Sequence, residues 1–118
     1  MAKRTGPQNI ELISLIRRLK RTSTKEKIKL WKRIASDLEK PTRQRRTANI
    51  YKINKYTRDG EIAIVPGKVL SMGDLTKKIT IAAYQFSETA KDKLKNNAIT
   101  IDELIDKNPK GKNVRIIG

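Results

Sequence analysis

Three arginines within four positions, Arg43, Arg45 and Arg46, follow Lys40 in a segment whose other residues, Pro41, Thr42, Gln44 and Thr47, include no apolar side chain to anchor it. Guanidinium forks on a short, unsupported stretch can bridge phosphates of different strands, because each fork is planar and presents paired N–H donors. A solvated surface loop is the plainer alternative. The charge of the whole chain decides between them. Twenty-eight Lys and Arg stand against twelve Asp and Glu, leaving a net +16 that repels itself unless a polyanion is present. Nucleic acid is the predicted partner.

Two further cationic groups compete with the arginine segment. Arg17, Arg18, Lys20 and Arg21 crowd the expected last turn of a first helix, where they either meet phosphates or complete the helix dipole as a solvated face. Lys3 and Arg4 share the first eight residues with Gly6 and Pro7 and almost nothing to bury, which reads as a flexible basic arm. Lys68 has a different setting. In Val65-Pro66-Gly67-Lys68-Val69 it reads as part of a tight strand-to-strand turn, where Gly67 permits close approach of backbone to a phosphate. A lone glycine lacks the spacing of a nucleotide-binding loop, so a P-loop is rejected. Trp31, Tyr51, Tyr56, Tyr84 and Phe86 could stack on bases, but they fall mostly on apolar stripes and are expected in the core or at an interface.

Most catalytic chemistry is closed to this chain. It contains neither histidine nor cysteine, which removes disulfides, thiol nucleophiles, the commonest zinc ligands and the commonest general base near neutral pH. Asp102, Glu103 and Asp106 cluster, but Thr100 and Glu103 have capping-box spacing, so a structural use at a helix start is expected over a metal site. No acid–base pair, nucleophile triad or metal cage stands out. The expectation is a protein without catalytic activity, cofactor or small-molecule substrate. No apolar run approaches the ~20 residues that span a bilayer, and the start lacks a secretory hydrophobic stretch, so no membrane partner is expected.

The elements that must position these residues follow from periodicity and caps. Over 118 residues a single domain is expected, with residues 1–8 as the arm. Sixteen Ile and only five aromatic residues predict a thin, aliphatic core. Leu12, Ile13, Ile16 and Leu19 predict a helix over 10–21. Ser23 and Glu26, followed by Ile28, Trp31, Ile34, Ala35 and Leu38, predict a second over 24–39, with Lys25, Lys29, Lys32 and Arg33 on its basic face. Asn49 is expected to cap a short helix ending before a turn at Arg58, Asp59 and Gly60. Strands are expected at Glu61–Val65, at Lys68–Leu70, at Lys78–Ala83 and at Val114–Ile117, and helices after Ser87 and Thr100. The fold class is therefore α/β in the mixed α+β sense: a small body of irregular strand and helix units preceded by basic helices. Charge divides unevenly over it. Residues 1–60 hold 18 basic and 5 acidic residues, residues 61–118 only 10 and 7.

Four stretches in order, LEKPTRQRRTANIYKINKY (38–56), VPGKVLSMGDL (65–75), ITIAAYQFSETA (79–90) and NPKGKNVRII (108–117), closely resemble the archaeal and eukaryotic large-subunit ribosomal protein family L-eighteen-e, a relative of the universal L-fifteen family. The resemblance spans essentially the whole chain, and its length resembles archaeal members. It implies a non-catalytic structural constituent of the large ribosomal subunit, located in the cytoplasm. The implied partners are large-subunit ribosomal RNA and neighbouring ribosomal proteins. Carried over residue by residue, it implies RNA-facing roles for Lys40, Arg43, Arg45 and Arg46 of the KPTRQRR stretch and for Lys68 of VPGKVL. Lys3, Arg4, Arg17, Arg18, Lys20 and Arg21 rest on charge alone. Composition by itself also allows a general nucleic-acid-binding or DNA-compacting protein.

Overall fold

Ile10–Glu26 form helix α1 and Lys29–Glu39 helix α2 in a computed structural model that describes residues 10–40 and 46–117. The chain divides into two compact units, residues 1–45 and 46–118, and both helices belong to the first. Their apolar residues recur every three or four positions, so each helix carries one stripe to bury. Leu12, Leu15, Ile16 and Leu19 are buried on α1, and Trp31, Ile34, Ala35 and Leu38 on α2. Each Leu or Ile so buried contributes about 1.5–3 kcal/mol.

The junction between these helices differs from the predicted one. Ser23 and Glu26 lie inside α1, which runs past Arg21 to Glu26. Lys27 then adopts a left-handed φ of +58°. The Ile28 N–H donates to the Ser23 carbonyl at 3.1 Å, and the Ser23 hydroxyl donates to the Ile28 carbonyl. This is a Schellman-type helix end built on a lysine where glycine is usual, so the residue type carried no stop signal. In consequence Arg17, Arg18, Lys20 and Arg21 sit in the body of α1, and its last turn holds Lys25 instead.

In the second unit, β1 (Arg46–Asn49), β2 (Ile62–Leu70), β3 (Thr80–Phe86), β4 (Ala98–Thr100) and β5 (Val114–Ile116) form one parallel sheet with helices α3 (Ile50–Tyr56), α4 (Glu88–Leu94) and α5 (Ile101–Lys107) between them. β2 is central. β3 lies along one edge of it, while the other edge is shared by β5, opposite Ile62–Ile64, and β1, opposite Gly67–Leu70. Ile50 and Ile53 of α3, with Ala90 and Leu94 of α4, join Ala63, Val65, Val69, Ile81 and Ala83 in one buried cluster. Ile64 and Ala82 alternate with those strand residues and face the other side, where α5 contacts β3 and β4. The return from β4 to β5 reverses the order of the earlier crossovers, so right-handed connection places α5 on that opposite face.

Two sequence expectations for the sheet are corrected. The Val65-Pro66-Gly67-Lys68 stretch is no turn: β2 runs straight through it, with Pro66 and Gly67 buried and a register irregularity against β3 between Val65 and Lys68. A bulge is where a strand tolerates a residue without an N–H, which is why Pro-Gly misled. β1 and β4 were unforeseen, being too short to show periodicity. The Ser87 and Thr100 caps are as expected. The Ser87 hydroxyl accepts the Ala90 N–H at 3.1 Å, and Thr100 and Glu103 form a reciprocal capping box, each cap contributing about 1 kcal/mol.

The link from β2 to β3 has no helix to satisfy its backbone, and α3 with its following turn supplies the partners. Asn49 stands at the start of α3 as predicted, yet its Oδ1 accepts the Met72 N–H at 3.2 Å and caps no helical N–H. The Tyr51 N–H donates to the Met72 carbonyl at 2.9 Å, Asn54 Oδ1 accepts the Thr76 N–H at 3.0 Å, and Asp59 Oδ1 accepts the Lys78 N–H at 2.8 Å. Lys93 of α4 closes the other side, donating to the carbonyls of Ser71 and Gly73 at 2.9 Å each.

Candidate nucleic-acid interface

In the first unit the cationic residues lie on the helix faces that the apolar stripes leave to solvent. Arg17, Lys20 and Arg21 of α1 and Lys29, Lys32 and Arg33 of α2 are exposed, while Arg18 is half-buried. Some of these charges are internally compensated. Lys20 Nζ lies 3.1 Å from Glu39 Oε2, tying α1 to α2, and Lys40 Nζ lies 3.3 Å from Asp37 Oδ1. The exposed Lys20–Glu39 pair contributes about 0–1 kcal/mol, so that lysine exchanges readily for a phosphate, whereas Asp37 is buried and holds Lys40 at its side. Arg17, Arg21, Lys29, Lys32 and Arg33 have no ion-pair partner among the described residues.

Lys3, Arg4, Arg43 and Arg45 lie outside the described residues, as does the residue 1–8 arm. Arg46 opens β1, where its backbone is in register with Gly67 of β2. Thr47, the next residue, is in register with the exposed Lys68. The resemblance had grouped these residues by motif alone. Strand pairing sets the backbone of Arg46 and Thr47 beside that of Gly67 and Lys68.

Two shallow hollows of about 340 Å³ each open on the second unit. One gathers Lys68, Tyr84, Gln85, Phe86, Lys91 and Thr100 from the carboxyl ends of β2, β3 and β4 and from α4. The other is lined by Lys52, Tyr56, Arg115, Ile116 and Ile117, and Lys55 Nζ stands 5.3 Å from the centre of the Tyr56 ring. Sequence reasoning placed only Lys68 among candidates here. Gln85 and Lys52 lie within stretches that carried the resemblance, and Lys91 follows one, but no charge cluster singled them out. The aromatic expectation divides: Trp31 is fully buried, but Tyr51 and Tyr56 are 56% and 53% exposed and so are not core residues. Tyr56 is spaced three residues from Ile53, as Ile53 is from Ile50, which matched a helical stripe, but the seven-residue helix buries only its isoleucines.

Not every lysine is available for a partner. Lys77 donates to the Thr57 carbonyl at 3.0 Å, and Lys93 holds the β2–β3 link. Arg115 is engaged as well. Its Nε and Nη2 each lie 3.0 Å from a Glu61 carboxylate oxygen, a bidentate pair that draws β5 to the start of β2. This guanidinium, aided by the Arg58 N–H, lowers the Glu61 pKa from 4.5 to about 2, and the carboxylate in turn raises that of Arg115. Among the described residues no group of three or more acidic side chains could hold a metal ion, and no helix is long and apolar enough to cross a membrane.

The chain falls in a ribosomal class: the family model that describes ribosomal proteins 50S-L15 and 50S-L18e, together with their 60S counterpart, matches residues 14–98. The chain is 43% identical to large ribosomal subunit protein eL18 of Methanoregula boonei and 39% identical to that of Methanothermobacter thermautotrophicus, covering 99% of both chains in each case. The eL18 protein of Sulfurisphaera tokodaii is 42% identical over 99% of this chain and 98% of its own. The chain belongs to the archaeal eL18 family of large-subunit ribosomal proteins. Members of that family are structural proteins and not enzymes, and this one is read accordingly.

Proposed function

We propose that this protein is a structural constituent of the large ribosomal subunit in the cytoplasm, where it binds and stabilises folded ribosomal RNA by neutralising phosphates. It acts as one ribosomal-protein domain over residues 1–118, beside neighbouring ribosomal proteins, with residues 1–8 as a basic arm. The observation that carries the reading is the set of exposed cations on α1 and α2, Arg17, Arg21, Lys29, Lys32 and Arg33, which lack an acidic partner among the described residues. A fold that needed these charges for itself would pair them.

Phosphate neutralisation releases condensed counterions, and that release favours association without reading base sequence. Lys40, Arg43, Arg45, Arg46 and Lys68 form the contact implied by the family resemblance. Lys3, Arg4, Arg17, Arg18, Lys20 and Arg21 extend it on charge. Exposed guanidinium and ammonium groups on helices and a strand edge recognise the shape of RNA more than its bases. The alternative, a DNA-compacting protein, makes a different prediction in competition. Large-subunit ribosomal RNA should displace duplex DNA of equal length from the protein, and the native protein should sediment with the large subunit. Equal competition by DNA, or sedimentation apart from the subunit, would refute the reading.

A further inference from the structure

Open parallel sheets receive ligands beyond the carboxyl ends of their strands, where the connections diverge and leave a hollow. In this sheet the hollow of about 340 Å³ lies at those ends of β2, β3 and β4. Its lining combines three kinds of group. Tyr84 and Phe86, both half-buried, provide aromatic surface held in place by the sheet. Lys68 and Lys91 provide two exposed cations from different elements, and Gln85 and Thr100 provide an amide and a hydroxyl. Lys68 and Gln85 are register partners on adjacent strands, so cation and amide stand side by side.

From this combination we infer that the hollow takes one unstacked nucleotide of a bound RNA, with its base against the aromatic surface and its phosphate between Lys68 and Lys91. The inference rests on the RNA-binding reading above and adds a single-stranded element to it. Volume and chemistry both select the occupant. A pocket of this size suits one small ligand and excludes a duplex, whose bases are stacked inside a helix. A purely acidic partner would use the lysines but leave the aromatic surface and the amide unanswered. A nucleotide, in contrast, uses all three kinds of group: its base stacks on the aromatic surface, its phosphate meets the lysines, and its polar edges meet the amide and hydroxyl.

The test uses the full chain and a single-stranded RNA tetranucleotide, followed by backbone amide resonances. Addition should shift Lys68, Tyr84, Gln85, Phe86 and Thr100 together, and an RNA duplex of equal phosphate count should not displace the tetranucleotide. Tyr84→Leu should weaken tetranucleotide binding roughly tenfold, the scale of one lost stack. Lys91→Ala, at an exposed site, should weaken it several-fold and serves if the tyrosine variant does not fold. Displacement by the duplex, or an equal response to inorganic phosphate or to an Asp-rich peptide, overturns the assignment. If ribosomal RNA binds while the tetranucleotide leaves these amides unmoved, the single-nucleotide site alone fails. If ribosomal RNA does not bind, the broader reading fails with it.

Discussion

Gly73 shows how one residue can control a connection. Its φ is +101°, and a Cβ built there would collide with Tyr51 Cβ, lying 2.6 Å from the Tyr51 nitrogen and 2.7 Å from its Cα. These are atoms of a helix start, so they cannot swing aside as a side-chain tip would. The Gly73 carbonyl also receives Lys93. Gly73→Ala should therefore lower stability by about 2 kcal/mol or more, combining overpacking with a disfavoured backbone conformation. Chemical denaturation measures it, and a loss below about 0.5 kcal/mol would mean the link from β2 to β3 can move away from α3 at little expense. Lys93 and Lys77 teach the complementary lesson. Both count as positive charge in the sequence, but their ammonium groups satisfy backbone carbonyls, so they belong to the fold before they belong to any polyanion.

At the scale of elements, β5 is the strand with most to lose. It is three residues long, pairs with β2 alone among the described strands, and is fastened by the Arg115–Glu61 ion pair at 3.0 Å. Because the Glu61 pKa is lowered in the folded state, the stability this pair adds is fully present above the ordinary carboxylate value of 4.5. It is lost as pH falls toward about 2, when the unfolded chain binds the proton first. Thermal unfolding of the wild type should thus show a falling Tm through that acid range, and Glu61→Gln should flatten this part of the profile while leaving its shape near neutrality unchanged. An identical acid limb in the variant would sever the pair from stability. The helix ends at this scale also explain the sequence reading's uneven success. Ser87 and Thr100 act through their own side chains on the next turn, a local interaction that spacing reveals. Asn49 has the same residue type in the same place, but a neighbouring strand's exit competes for its oxygen.

For the whole molecule, the property that matters is how cations distribute between internal pairs and a partner. Replacing Arg43, Arg45 and Arg46 together by Ala should reduce the magnitude of the slope of log affinity against log salt by about 2–3, one counterion set per lost phosphate contact. Binding of large-subunit ribosomal RNA over a salt series measures this. Far-ultraviolet circular dichroism should remain unchanged, since the segment holds no apolar anchor. A slope equal to the wild type would remove these arginines from the interface. The same experiment on Arg17, Arg21, Lys29, Lys32 and Arg33 separates the helix faces from the arginine segment.

By itself the sequence determined the chain's net charge of +16, the absence of the usual catalytic groups, the two basic helices, the Ser87 and Thr100 caps and, through four ordered motifs, the family. These are local or summed properties: charge adds along the chain, helical stripes repeat within one element, and a cap spans three residues. Tertiary structure decided what depends on distant neighbours. It turned Pro66 and Gly67 from an expected turn into the bulge of a central strand, because β1, β3 and β5 pair on both sides of it. It exposed Tyr51 and Tyr56, which had been expected in the core or at an interface, and it separated structural lysines such as Lys93 from others such as Lys68 and Lys91. The arginine segment and Lys68 were legible as residues. The register that sets Arg46 and Thr47 opposite Gly67 and Lys68 was not, because strand pairing joins positions about twenty apart that no local pattern links.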